Sequence, residues 1–318
     1  MASTIQETEL MDRLSANLHA CIYGKNKEVR LLLTALLAEG HVLLEDVPGT
    51  GKTMLIKALA RSIQGEFRRI QCNPDLLPTD ITGVSIYHPK TETFVYRPGP
   101  VMSNILLVDE VNRATTKTQS ALLEAMEERH VTVDGDRYEL PQPFMLLATQ
   151  TPIDFEGTYR LPEAQLDRFM MKFSLGYPSR DEEKAMISGQ SSQDPLEQLA
   201  PVMNIEAIKQ YQDSVKTVHL DESIIDYIVA IVAATREHPA LLLGASPRAS
   251  LAFAKALRAF AYLAGRDYCL PDDVKELAPY VLCHRLILSP QASMDGTTQR
   301  SVLEEILQRI PVPVRMEK

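Results

Sequence analysis

The sequence predicts an α/β protein in which a parallel sheet covered by helices on both faces is followed by an all-α domain. Three observations predict it. A short apolar run, Val42-Leu43-Leu44, enters a glycine-rich loop that leads into the helix-forming run Met54 to Ala60. A second, wholly apolar run, Ile105 to Val108, ends in the carboxylate pair Asp109-Glu110. Strand-like and helix-like patterns then alternate as far as Tyr177-Pro178-Ser179-Arg180, beyond which only helical periodicity is left. Such alternation builds a parallel sheet, and strands buried on both faces read as continuous apolar runs. The expected boundary therefore divides a core over residues 1–180 from a helical domain over 181–318.

Each element has its own signal. Leu10, Leu14 and Leu18 share one helical face, as do Val29, Leu32, Leu33, Leu36 and Leu37. Between them the turn Ile22-Tyr23-Gly24-Lys25 either touches a nucleotide base or simply joins two helices. Gly40-His41 ends the second helix and releases the first strand. Phe67 to Cys72 reads as the next strand, and Asn73-Pro74-Asp75 caps a short helix ending near Thr82-Gly83. Residues 84–101 form an insert with a turn at Tyr87 to Lys90 and a strand-like piece at Thr93 to Tyr96. After the strand at Ile105, a helix spans 116–128 with Leu122, Leu123 and Met126 inward. Asp134-Gly135 inside an alternating stretch, 130–140, marks a hairpin whose register opposes Val131 to Tyr138. Phe144 to Thr149 is a further buried strand, and Leu161 to Phe169 a short helix entering a last strand at Met170 to Leu175. Residues 188–200 read as a loose connector. Helices are expected at 205–212, 221–236, 247–264 and 271–285, the third capped by Ser246 with Pro247 in its first turn and Arg248 beside it.

The loop Glu45-Asp46-Val47-Pro48-Gly49-Thr50-Gly51-Lys52-Thr53 carries the chemistry. Glycines let successive backbone N–H groups face an anion, and the N-terminus of the following helix adds partial positive charge. Residues Asp46 to Met54 are thus the candidate nucleotide cradle. In such a loop Lys52 reaches the outer phosphates and the Thr53 hydroxyl ligates magnesium. The strict pattern Gly-x-x-x-x-Gly-Lys-Ser/Thr asks for glycine where this chain has Asp46. About fifty residues on, the strand ending in Asp109-Glu110 supplies what hydrolysis needs: Asp109 to hold the metal's water shell and Glu110 to deprotonate an attacking water.

Composition narrows the rest. The chain has 318 residues, 45% of them hydrophobic, and a net charge of −9, which opposes broad non-specific binding to nucleic acid. Tryptophan is absent and aromatics make up 6%, too few for base-stacking platforms. Cys21, Cys72, Cys269 and Cys283 form no Cys-x-x-Cys pair and suit a reducing compartment, and the histidines show no metal-ligand spacing. No signal peptide or membrane-spanning run is evident, so the expected location is the cytoplasm. A GTPase is disfavoured because Asn26-Lys27, the single Asn-Lys pair, precedes the phosphate loop and lacks the following aspartate.

Five stretches together resemble the AAA+ ATPases, and within them the MoxR family of the helix-2-insert clade. They are His41 to Thr53, Asn104 to Ala114, Glu156-Gly157-Thr158-Tyr159, Leu161 to Phe169, and Gly244-Ala245-Ser246-Pro247-Arg248-Ala249, within a likeness running from about residue 22 to 288. The resemblance implies an AAA+ αβα core with an all-α lid, ATP and Mg2+ as cofactors, and an acidic residue tolerated at position 46. It implies that Arg168 is the finger reaching the γ-phosphate in a neighbouring subunit, and that Arg248 is the lid arginine contacting nucleotide. It implies a ring, most often a hexamer, doing chaperone-like work on a separate protein with a von Willebrand factor A domain. The acidic balance, the few aromatics and the lack of a long apolar run make neither nucleic acid nor membrane insertion expected. Tyr23 and Gly24 lie in the turn that by its position either touches adenine or only joins two helices. Two positions depart from the pattern. Thr151 stands where the family usually has asparagine to hold a water, so slower hydrolysis or help from Gln150 is expected. Arg160 replaces a usual proline and has no assigned role. The rival expectations are a motor acting on nucleic acid and an ATP-binding scaffold with little turnover.

Overall fold

The apolar runs predicted as strands lie side by side at the centre of one sheet. The computed structural model describes residues 2–47, 49–151, 161–188 and 194–313, with side chains from Glu9 onward. Its five-stranded sheet has the order Phe67–Gln71, Ile105–Asp109, Met145–Gln150, Val42–Glu45, Met171–Phe173. The first four strands pair in parallel, with Gln71 opposite Asp109, Val108 opposite Ala148, and Leu44 opposite Thr149. Val42, Leu43, Leu44, Ile105 to Val108 and Met145 to Ala148 are each at most 1% exposed. Full burial of each large apolar side chain stabilises by about 1.5–3 kcal/mol before entropy is counted. Parallel strands present their carboxyl ends on one edge, which brings Glu45, Asp109 and Gln150 together there.

His41 pins the central strands from beneath. Its Nδ1 accepts the Leu146 N–H at 3.0 Å, so the proton sits on Nε2 and is donated to the Met126 carbonyl at 3.2 Å. Burial drives its pKa down to about 4, because a charged imidazole there would lose its water.

The chain divides into two compact units. The first comprises 1–29, 41–161 and 173–210, and the second 30–40, 162–172 and 211–318. In the first unit the helix Lys52–Ser62 buries Leu55, Ile56 and Leu59. Two hairpins stand beside the sheet, as the turn residues predict. Gly83–His88 pairs with Thr93–Pro98, and His130–Val133 pairs with Asp136–Glu139, with Val131 opposite Tyr138. Tyr96 stacks on Tyr138 with ring centroids 4.0 Å apart, joining the two. The short helix after the second strand covers only Pro78–Thr82, starting later than Asn73 suggests because Pro78 supplies its first turn. The expected connector contains a helical turn, Pro195–Gln198, capped by the Asp194 side chain on the Leu196 N–H.

In the second unit the helices Glu222–Glu237, Pro247–Leu263 and Pro271–Leu282 pack through Ile228, Phe253, Phe260 and Leu277. Two features depart from the expectation. The unit is not purely helical, since Leu241–Leu243 pairs antiparallel with Ile287–Leu288. Pairing between segments over forty residues apart leaves no local signal in strands this short. Ser246 sits at the N-cap position of Pro247–Leu263 but makes no capping bond through its side chain. Its hydroxyl donates instead to Asp167 Oδ2 at 2.8 Å. The helices Pro290–Met294 and Gln299–Arg309 complete the unit, each capped by a hydroxyl, from Ser289 and Thr298.

Candidate functional site

A cleft of about 590 Å³ opens at the carboxyl edge of the sheet in the first unit. It is lined by the loop residues Asp46, Gly49, Thr50, Gly51, Lys52, Thr53 and Met54, and by Asp109, Glu110 and Thr151. Residues remote in the chain thus meet in one place. Gly49 and Gly51 have φ of 86° and 88°, the left-handed region where a side chain is strained. A Cβ on Gly51 would also approach Ile22 Cδ1 to 2.9 Å. That contact places the turn carrying Tyr23 and Gly24 next to the loop. Gly24 is left-handed too, at φ 67°, and the carboxylate of Glu182 occupies the space a Cβ would need there.

Lys52 opens the helix, and its ammonium lies across the loop. Nζ donates to the Val47 carbonyl at 2.8 Å and to Thr50 Oγ1 at 3.5 Å. Partial burial lowers its pKa, against the opposing pull of Asp46, Asp109 and Glu110. Asp46 is 5% exposed and braces the loop from below. Its carboxylate accepts from Ser174 Oγ at 2.7 Å, Leu175 N–H at 2.6 Å and Gly176 N–H at 2.9 Å. Pro48 lies outside the described residues, as do Glu156 to Tyr159 and Arg160.

The acidic pair is held by four residues that motif reading passes over. Thr149, at the end of the neighbouring strand, donates its hydroxyl to Asp109 Oδ1 at 3.2 Å and accepts the Glu110 N–H at 2.9 Å. Arg69 Nε donates to Asp109 Oδ2 at 2.6 Å, and Arg69 also donates to Gln71 Oε1 at 3.2 Å. Glu110 Oε2 accepts from Gln71 Nε2 at 3.1 Å and from Arg113 at 3.0 Å. Glu110 itself is left-handed, at φ 54°, an uncommon conformation for a non-glycine residue and one that clusters at functional sites. Arg69 and Gln71 are two apart on an edge strand and so project to the same side, a signal that is visible in sequence once the strand order is known. Thr53 and Asp109 offer hard oxygen donors of the kind magnesium takes, so the cleft fits that ion by its chemistry.

Two family models match successive parts of the chain. The ATPase family associated with various cellular activities (AAA) covers residues 41–171, and the AAA lid domain covers 233–306. The chaperone MoxR1 of Mycobacterium tuberculosis is 42% identical over 96% of this chain and 83% of its own length. The chain belongs to the MoxR family of AAA+ ATPases. The protein YeaC of Bacillus subtilis is similar throughout, at 52% identity over 96% of both chains. A crystal structure of a candidate ATPase from Cytophaga hutchinsonii superposes with a TM-score of 0.90 at 36% identity, covering 98% of this chain and 97% of that one. The fold is accordingly the AAA+ core and lid.

In this MoxR-family protein the two arginines of interest belong to the second unit. Arg168 follows the short helix Glu163–Leu166, and Arg248 is exposed in the first turn of Pro247–Leu263. Asp167 ties their segments together. It accepts from Ser246 Oγ at 2.8 Å and from the buried Arg285 at 2.7 Å, while Arg285 also donates to the Phe169 carbonyl at 2.7 Å. Burial lowers the Arg285 pKa to about 10, with Asp167 opposing the shift. Sequence reading missed Arg285, because a single arginine at the end of a helix carries no signal of burial.

Proposed function

We propose that this ATPase hydrolyses Mg2+-bound ATP at the cleft of the first unit and uses the cycle to remodel a partner protein. The observation that carries the reading is the convergence of Lys52, Thr53, Asp109, Glu110 and Thr151 on one cleft. The N–H groups of Gly49 to Met54 cradle the phosphates, and Lys52 leaves the Val47 carbonyl to neutralise the outer ones. Thr53 and Asp109 would hold the metal, which would supply charge neutralisation at the phosphates. Glu110 takes the proton from the attacking water, and Thr151 orients that water. The new bond forms between water oxygen and γ-phosphorus as the bond to the β-bridging oxygen breaks, leaving ADP and phosphate. Tyr23 and Gly24 border the base.

Arg168 acts on the γ-phosphate of a neighbouring subunit and Arg248 on nucleotide from its own lid, both suited by a planar charged fork. That assignment requires a ring, which we take to be hexameric. The Mycobacterium tuberculosis relative is named a chaperone, which supports work on proteins. We place a separate von Willebrand factor A-domain protein as the partner, and the cytoplasm as the location. No helix among the described residues is long and apolar enough to cross a membrane.

Steady-state phosphate release from the purified protein and from Glu110→Gln tests the core of this reading. Loss of a positioned general base is expected to lower turnover by about 10²–10⁴-fold, with nucleotide still bound. Equal, background-level rates for the two proteins would remove the ATPase assignment to this site. Addition of a von Willebrand-type partner should change the rate if the partner reading holds, and no change at saturating partner would discard it.

A further inference from the structure

The metal-binding carboxylate already has a cationic partner on a neighbouring strand. Arg69 lies on the sheet's edge strand, Phe67–Gln71, and its Nε donates to Asp109 Oδ2 at 2.6 Å. The other oxygen, Oδ1, accepts from Thr149 at 3.2 Å. Both oxygens of Asp109 are therefore engaged, one by a hydroxyl and one by a full positive charge. The two partners differ in what holds them. Thr149 is 3% exposed and fixed in the sheet. The Arg69 side chain is 48% exposed, against 10% for Asp109, so the guanidinium has solvent to move into while the carboxylate stays.

We infer that Arg69 competes with the magnesium ion for Asp109, so that metal loading requires the guanidinium to leave Oδ2. This rests on the reading of Asp109 as a metal ligand and adds a residue that sets how much metal the site needs. The charge balance explains why such a residue helps. Asp46, Asp109 and Glu110 all act electrostatically on Lys52, and Asp194 also lines the cleft. Arg69 offsets that negative charge at Asp109 until a dication supplies more. A guanidinium is a weaker neutraliser than a divalent ion at the same oxygen, because it carries half the charge and its bond competes with water at an exposed position. Exchange is therefore uphill at low metal and downhill at high metal, with Arg69 setting the midpoint.

Equilibrium binding of a fluorescent ADP analogue measures this without turnover. The analogue is titrated first in EDTA and then with increasing MgCl2, for the wild type, Arg69→Gln, Arg69→Lys and Asp109→Asn. Arg69→Gln is expected to keep metal-free affinity within about two-fold and to lower the half-saturating Mg2+ concentration by about three- to ten-fold, the range of a charge-assisted pair at a part-exposed site. Arg69→Lys should fall between, since lysine keeps the charge but not the planar fork. Thermal melting of the same samples checks that the edge strand is intact. An unchanged or raised Mg2+ midpoint in Arg69→Gln overturns the inference. Loss of metal-free affinity also overturns it, by making Arg69 a phosphate ligand. Asp109→Asn separates the two levels: if it leaves the Mg2+ dependence unaltered, the metal is held elsewhere and the reading of the site fails as well. If Asp109→Asn shifts the midpoint and Arg69→Gln does not, only the competition is refuted.

Discussion

Thr149 shows how one hydroxyl organises two carboxylates. It donates to Asp109 and accepts from the Glu110 backbone, using both halves of its hydrogen-bonding capacity in a site 3% exposed. Valine has nearly the same shape and neither function. In Thr149→Val the Glu110 N–H loses its partner, which costs about 1–3 kcal/mol where no water can replace it. The left-handed backbone of Glu110 then relaxes, and the carboxylate moves off its line to the cleft. We expect a lower urea midpoint together with at least about ten-fold slower phosphate release, and nucleotide affinity close to wild type. Wild-type turnover in Thr149→Val would show that the bond holds the strand end and nothing more. This residue is the last of a predicted strand, yet nothing in its own neighbourhood marks it. Its partners stand forty and thirty-nine positions away.

At the level of elements, the phosphate loop is anchored at its base. Asp46 fixes the segment 174–176 by three hydrogen bonds, two of them from backbone N–H groups. A glycine, which the strict loop pattern asks for, could not do this. Asp46→Ala would leave the buried Leu175 N–H without its acceptor, and the Gly176 N–H with Ser174 Oγ alone, at 3.1 Å. We expect a loss of about 2–4 kcal/mol in chemical denaturation. Nucleotide binding should weaken as well, because the strand and the loop it feeds are no longer held in place. A variant that loses stability while binding nucleotide as tightly as wild type would confine Asp46 to folding. Asp167 has the corresponding place in the second unit, where Ser246 and Arg285 converge on it beside Arg168 and close to Arg248. Ser246 therefore serves a contact within its unit rather than the helix end that its sequence position suggests.

Across the whole molecule, acid should destabilise the protein through buried neutral histidines. His41 has a folded pKa of about 4, and His284 is pushed well below its usual value by burial and by Arg285 beside it. Below the unfolded value near 6.5 the unfolded chain takes up protons that the folded chain refuses. Stability is then unaffected above about pH 7 and falls as pH drops from 6.5 toward 4. The His41 share is about 2 kcal/mol between pH 7 and pH 5. Denaturant midpoints at the two pH values measure it, and His41→Gln should show a visibly shallower dependence. An identical pH dependence in the variant would place the titration elsewhere.

The phosphate loop, the acidic strand end, most helices and both hairpins are legible in the chain alone. Each of these is encoded by neighbours in the chain: nine consecutive loop residues, a four-residue apolar run ending in Asp109-Glu110, a period of 3.6, an Asp134-Gly135 turn. The same locality made the resemblance to MoxR ATPases readable, since its markers are contiguous stretches. Tertiary structure decided which side chains complete the cleft. Arg69, Gln71 and Thr149 reach Asp109 and Glu110 only because their strands lie on either side of Ile105–Asp109, and strand order is not a local property. It also decided that Asp46 is a brace, that Ser246 binds Asp167, and that Leu241–Leu243 pairs with Ile287–Leu288. Local signals specify elements through backbone propensity and periodicity. Hydrogen bonds between distant segments depend on packing, which no short window of sequence contains.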